Sequence, residues 1–195
     1  AQMTSGVAVH RIGSFSDFCS HLESTESKSA FAYGVHDVES FGPEVKVTTK
    51  AEADPSQKII SRTKDFFHYP DGPGILMIDH DLSDYGSAFT PEKLVGLLTE
   101  LIPEFQGCAY AVKPSNSAGV SVKGEKLSGS AGFHLYIPVQ EASDVPRFGQ
   151  ALFDRLWLAG HGYIALSANG SFLTRSPIDQ AVFSSERLDF VGRPV

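Results

Sequence analysis

The aliphatic run Ile75-Leu76-Met77-Ile78 passes directly into Asp79-His80-Asp81, and few local structures satisfy so apolar a stretch ending in charge. Pro70-Asp71-Gly72-Pro73-Gly74 precedes it, a cluster of turn residues that separates the run from anything before it. The four aliphatic residues therefore read as a buried strand. Successive side chains on a strand alternate faces, so Asp79 and Asp81 share one face and His80 takes the other. Two carboxylates that close repel each other and raise one pKa unless a cation sits between them. Hard divalent ions such as Mg²⁺ and Mn²⁺ accept carboxylate oxygens and commonly hold substrate phosphates as well. The pattern fits a metal seat for phosphate chemistry, and it equally fits a strand running out into a polar turn.

A chain of 195 residues, 42% hydrophobic and 20% charged, has enough apolar side chains for one globular unit or for two small modules. Cys19 and Cys108 are far apart and have no neighbouring His or Cys at zinc-ligand spacing. Neither a disulfide framework nor a structural zinc is expected, which accords with a reducing cytoplasm. No run approaches the ~18 apolar residues of a membrane helix, and 1–13 lacks the apolar stretch of a secretory signal, so no membrane partner is expected. The net charge of −7 argues against a dedicated nucleic-acid-binding protein. Local runs soften that argument, because Lys46, Lys50, Lys58, Arg62 and Lys64 outnumber the nearby acids, and Lys113, Lys123 and Lys126 form a second basic stretch.

Strand and helix patterns alternate without internal repeats. Strands are expected over Val7–Ile12, Ala30–His36, Glu44–Thr49 and Ile59–Thr63, and a helix over Ser14–Glu23 with Ser14 as its cap. Beyond the aspartate strand, Thr90-Pro91-Glu92 announces a helix through Ile102, with Leu94, Leu97, Leu98 and Leu101 as its buried stripe. Strands at Cys108–Val112 and Phe133–Val139 follow, then a helix over Val145–Leu158. Tyr163–Leu166, Phe172–Arg175 and Leu188–Val191 close the set as short strands. The class is α+β, with mainly antiparallel sheets covered by helices and a boundary near Tyr69–Gly74.

Two further stretches carry chemistry. Ser128-Gly129-Ser130-Ala131-Gly132-Phe133-His134 is rich in small residues, which let backbone amides approach an anion. His134 and the hydroxyls of Ser128 or Ser130 are potential donors to phosphate oxygens, and a loop followed by a half-buried histidine explains the same residues. In Arg175-Ser176-Pro177-Ile178-Asp179, the carboxylate of Asp179 is the third that a two-metal site needs beyond an Asp pair. Arg175 is close enough in sequence to pair with Asp179 or to reach a phosphate.

Taken in order, Asp79-His80-Asp81, the loop ending in Phe133-His134, and Ile178-Asp179 resemble the archaeo-eukaryotic primase superfamily. The likeness is to the primase-polymerases of phages, plasmids and other mobile elements, recognised by an Asp-hydrophobic-Asp, a Ser-x-His and a hydrophobic-Asp motif. It spans about 59–193, including the flanks Lys113-Pro114-Ser115-Asn116-Ser117 and Ser185-Glu186-Arg187-Leu188-Asp189-Phe190. The chain departs from the pattern twice. His80 stands where an apolar residue is usual, and Gly132 stands where the serine of Ser-x-His belongs, leaving Ser130 or Ser128 to serve.

The resemblance implies an RRM-like catalytic sheet over 71–195, an N-terminal α/β module over 1–70, and an active site in the cleft between them. It further implies DNA-templated synthesis from nucleoside triphosphates on a single-stranded DNA template and primer. Asp79, Asp81 and Asp179 would hold two Mg²⁺ or Mn²⁺ ions, and His134 with Ser128 or Ser130 would grip the triphosphate. Lys113, Arg62 and Lys64 would contact phosphate or template. The expected form is a monomeric catalytic domain of a longer replication protein. Two other functions fit parts of the pattern: a haloacid-dehalogenase-type phosphatase, in which Asp79 is the nucleophile, and a catalytically idle protein that binds single-stranded DNA. The first wants a closely spaced acidic pair downstream, which Asp179 does not make; the second sits poorly with three carboxylates that repel a phosphate backbone.

Overall fold

The computed structural model describes residues 4–25, 28–81, 89–115, 121–122, 125–126 and 132–191. It is a mixed α+β chain with several small sheets and, among the described residues, four α-helices. No described helix is long and apolar enough to cross a membrane. The chain divides into two compact units, one of 1–74, 140–143 and 184–195, the other of 75–139 and 144–183.

The first unit begins with strand β1 (Gly6–Val9) and helix α1 (Phe15–Ser24). The Ser14 hydroxyl accepts from the Asp17 amide while the Asp17 carboxylate accepts from the Ser14 amide, a reciprocal cap that fixes where α1 starts. Strand β2 (Phe31–Ala32) is far shorter than the expected strand over Ala30–His36. Gly34 interrupts it: its amide bonds to the Ser185 carbonyl, and a Cβ there would lie 2.6 Å from Ser185 atoms. Pairing resumes only as a bridge between Val35 and His68. A short helix, α2 (Val38–Phe41), capped by Asp37, was not expected. Strands β3 (Glu44–Thr48) and β4 (Ile59–Ser61) complete a sheet in the order β1-β3-β4, antiparallel then parallel. Val45, Ile60 and Phe67 form its core, with Ala8, Ala32, Phe41, Val47 and Phe66 packed against them.

Strand β5 (Gly74–His80) leads into the second unit. Leu76, Met77 and Ile78 are all buried, which is what a continuous aliphatic run predicts. Helix α3 (Pro91–Leu101) starts at the Thr90 cap, whose hydroxyl accepts from the Lys93 amide, and buries Leu94, Leu97 and Leu98. Strand β6 (Ala111–Pro114) lies later than the expected Cys108–Val112. Gly107 has φ of 80°, and the Cys108 amide and thiol are spent on the Phe105 and Glu104 carbonyls, so the chain is still turning there.

The two-residue strands β7 (Ser121–Val122) and β8 (Glu125–Lys126) pair with each other. Strand β9 (Phe133–Val139) and helix α4 (Val145–Leu158) then follow over the spans expected of them. Strand β9 sits in the middle of a three-stranded sheet ordered β5-β9-β6, antiparallel to β6. Strands β10 (Tyr163–Leu166) and β11 (Phe172–Arg175) fall over the spans expected of them and pair as an antiparallel hairpin. The last strand, β12 (Leu188–Asp189), belongs to the first unit and pairs with β2.

Candidate active site

The sheet β5-β9-β6 carries the chemically interesting side chains on one face. Along β5 the alternation holds: Asp79 is half-buried and Asp81, just past the strand end, is exposed, while His80 between them is fully buried. His80 Nδ1 lies 2.7 Å from the Pro177 carbonyl oxygen, which can only accept, so this nitrogen carries the proton. The ring packs against Phe133 and Phe89 at centroid distances of 5.0 and 5.7 Å. His80 thus belongs to the core.

Across the sheet, β9 brings His134 to Asp79. Nε2 of His134 stands 3.5 Å from Oδ1 of Asp79, and its Nδ1 lies 3.2 Å from the Tyr136 hydroxyl, two residues along the same strand face. A carboxylate accepts and a neutral phenol can donate, so the consistent arrangement has Nε2–H directed at Asp79 and Tyr136 O–H donating to Nδ1. On β6 the residue opposite His134 is Lys113. Lys113, His134 and Asp79 therefore form a row across three adjacent strands, a cation, an imidazole and a carboxylate in sequence.

Asp179 reaches β5 through its backbone. Its amide donates to the Asp79 carbonyl at 2.9 Å. The segment approaching it is shaped by Ser176, whose hydroxyl bonds both the amide and the carbonyl of Ile178, and by burial of Ile178 itself. The Asp179 carboxylate accepts from the Ala181 amide at 3.0 Å and opens a 3₁₀ turn over Gln180–Phe183. An open cleft of about 370 Å³ lies beside it, with Phe153, Thr174, Arg175, Asp179 and Gln180 in its walls.

The fold thus brings His134 to the Asp79 carboxylate, sets Lys113 opposite His134 on the next strand, and ties the Asp179 backbone to that of Asp79, with Asp81 two residues further along the chain. Arg62 and Lys64 belong to the first unit. Both are exposed, and Arg62 donates to the Glu186 carbonyl at 2.7 Å; burial pushes the Glu186 carboxyl up, but its hydrogen bond from Ser184 and then its own backbone amide hold it low, with Lys64 and Arg62 adding smaller contributions. Ser128 and Ser130 lie outside the described residues. Tyr136 escaped the sequence reading although strand alternation from His134 points to it.

As a donor set, Asp79, Asp81 and Asp179 suit a hard divalent cation, being carboxylates on or beside a half-exposed strand end. Among the described residues no group of three or more His, Cys, Asp and Glu side chains stands close enough to enclose an ion, and the Asp179 carboxylate is turned to its own backbone. Compared with known proteins, the chain matches no family model, and no curated protein and no solved structure matches it at significance.

Proposed function

We propose that this chain is a metal-dependent nucleotidyltransferase that copies single-stranded DNA from nucleoside triphosphates, in the manner of primase-polymerases. One observation carries the reading: three short motifs widely separated in sequence converge at one strand end. Asp179 bonds the Asp79 backbone at 2.9 Å, and His134 lies 3.5 Å from the Asp79 carboxylate. Chance likeness of three unrelated short motifs gives no reason for such convergence.

Strand order adds support for an RRM-like arrangement of the second unit. Its first, second and third long strands pair as first-third-second, with helices following the first and third. The Ile178-Asp179 segment adjoins the first of them, where the fourth strand of such a sheet runs.

In this reading Asp79 and Asp81, with Asp179, would hold Mg²⁺ or Mn²⁺, which would supply positive charge to activate a 3′-hydroxyl and to offset that of a leaving pyrophosphate. The protein's own groups bind and orient. His134, kept in one tautomer by Tyr136, has a single donor, the Nε2–H that faces Asp79 in the free protein, and in this reading it turns from that carboxylate to a phosphate oxygen when nucleotide binds. Lys113, next in the row, places a positive charge beside that anion. Arg62 and Lys64 serve the template strand by charge alone.

The test is incubation with Mn²⁺ or Mg²⁺, labelled nucleotides and a single-stranded template, with and without a primer. Template-dependent incorporation is the expected result. Binding of single-stranded DNA with no incorporation under any of these conditions points instead to an idle binding protein.

A further inference from the structure

Gly132 occupies the position two residues before His134, and space rather than backbone freedom accounts for it. Its φ is not in the left-handed region, so the backbone itself accepts any residue. A Cβ there would lie 2.9 Å from the Ser115 hydroxyl oxygen and 3.0 Å from the His80 carbonyl oxygen, closer than side chains normally approach. The volume that a side chain at 132 would fill is already taken by the hydroxyl of Ser115.

The position of Ser115 follows from the ladder. Beyond the Pro114–Phe133 pair, the Ser115 amide donates to the Gly132 carbonyl at 2.9 Å, which sets Ser115 against Gly132 as Lys113 is set against His134. Ser115 lies two residues from Lys113, so alternation puts both on the face that carries His134 and Asp79. Ser115 is half-buried, within reach of solvent. A hydroxyl, an ammonium and an imidazole N–H then share one stretch of sheet, a donor set matched to a polyanion.

We propose that Ser115 supplies, from the neighbouring strand, the hydroxyl that binds the triphosphate beside His134, and that Gly132 is the space kept clear for it. The inference rests on the nucleotidyltransferase reading and adds to it a residue that local sequence does not indicate.

The experiment uses the full chain with Mn²⁺, a fluorescent nucleoside triphosphate and a primed single-stranded template. Ser115→Ala is expected to raise the nucleotide KM and the nucleotide Kd roughly ten-fold, with kcat and template affinity within about two-fold of wild type. The exchange variant carrying Ser115→Ala and Gly132→Ser returns a hydroxyl to the space that Ser115 vacates, with the 3.0 Å approach to the His80 carbonyl relieved by a shift of the strand, and is expected to recover part of that loss; a purely structural serine gives no such recovery. Ser115→Thr against Ser115→Val compares nearly equal shapes with and without the hydroxyl, which separates binding from packing if the alanine variant folds poorly. Unchanged KM and Kd in every hydroxyl-free variant, with a wild-type chain that incorporates nucleotide, overturns the role of Ser115 and leaves the enzyme reading intact. A wild-type chain that neither incorporates nor binds a nucleoside triphosphate overturns both.

Discussion

The Asp179 amide and the Asp79 carbonyl are joined by a 2.9 Å hydrogen bond, and the adjoining residues repeat the tie, with His80 Nδ1 2.7 Å from the Pro177 oxygen. Two bonds from consecutive residues of β5 therefore hold one short segment. These two ties run through the backbone amide of Asp179 and the ring of His80, and not through the Asp79 or Asp179 carboxylates.

That division of labour gives the first prediction. Asp79→Asn and Asp81→Asn are expected to cut nucleotide incorporation by more than about a hundred-fold, beyond the usual loss for residues that merely support a metal ligand. Thermal unfolding should stay close to wild type, because removing one of two neighbouring like charges relieves repulsion. Primer extension and calorimetry read the two effects separately, and wild-type activity in either variant removes the proposed mechanism.

His80→Leu is expected to behave in the opposite way. The Pro177 carbonyl, buried with its residue, loses its donor, at a cost of about 1–3 kcal/mol. Nε2 of His80 has no hydrogen-bond partner among the described residues, so its removal gives back part of that loss. The denaturant midpoint should fall while measurable incorporation persists. Complete loss of activity in a folded variant would place His80 in the chemistry.

His134→Ala tests the row across the sheet. Loss of a polarised donor to phosphate, worth roughly 1.5–3 kcal/mol, should raise nucleotide KM by one to two orders of magnitude. Tyr136→Phe, which deletes the phenol oxygen 3.2 Å from His134 Nδ1, should give a smaller change of the same kind, about two- to ten-fold. Affinity for single-stranded template without nucleotide should hold in both. Collapse of template binding with intact nucleotide affinity would assign His134 to the DNA path.

The pH dependence of stability offers a test in the first unit. Burial, with the Glu186 carboxylate second, pushes the Tyr69 phenol from 10 up to about 12. The folded state therefore holds this proton more tightly than the unfolded chain does. The resulting stability is complete below pH 10 and is lost as pH rises through about 12, a change on the order of 2 kcal/mol. The urea midpoint of wild type should fall more steeply over that interval than that of Tyr69→Phe. Parallel pH profiles would show that Tyr69 ionises as freely folded as unfolded.

Sequence revealed the elements whose signals are local. The Thr90 cap and Pro91 place α3, and the short apolar stretches Tyr163–Leu166 and Phe172–Arg175 are the strands β10 and β11. The shared face of Asp79 and Asp81 follows from strand period alone. Elements decided by distant neighbours were missed or misjudged. Strand β2 is cut short by Ser185 pressing on Gly34. The shift of β6 has a local cause instead, the turn through Gly107 and Cys108. In the site, Ser115 faces Gly132 only through cross-strand register, and no local pattern announces the 2.9 Å approach that excludes a side chain there.

The pairing of β2 with β12 has a consequence for how the protein is made. Ala32 meets Leu188 and Phe31 meets Asp189, so the first unit lacks one of its strands until residue 189 has been synthesised. The second unit's segments, 75–139 and 144–183, are complete before that strand is synthesised. Domains usually finish in order of synthesis, N-terminal first. Here the unit begun first is completed last: a nascent chain that ends near residue 185 already contains every segment of the second unit, while the first still waits for its closing strand.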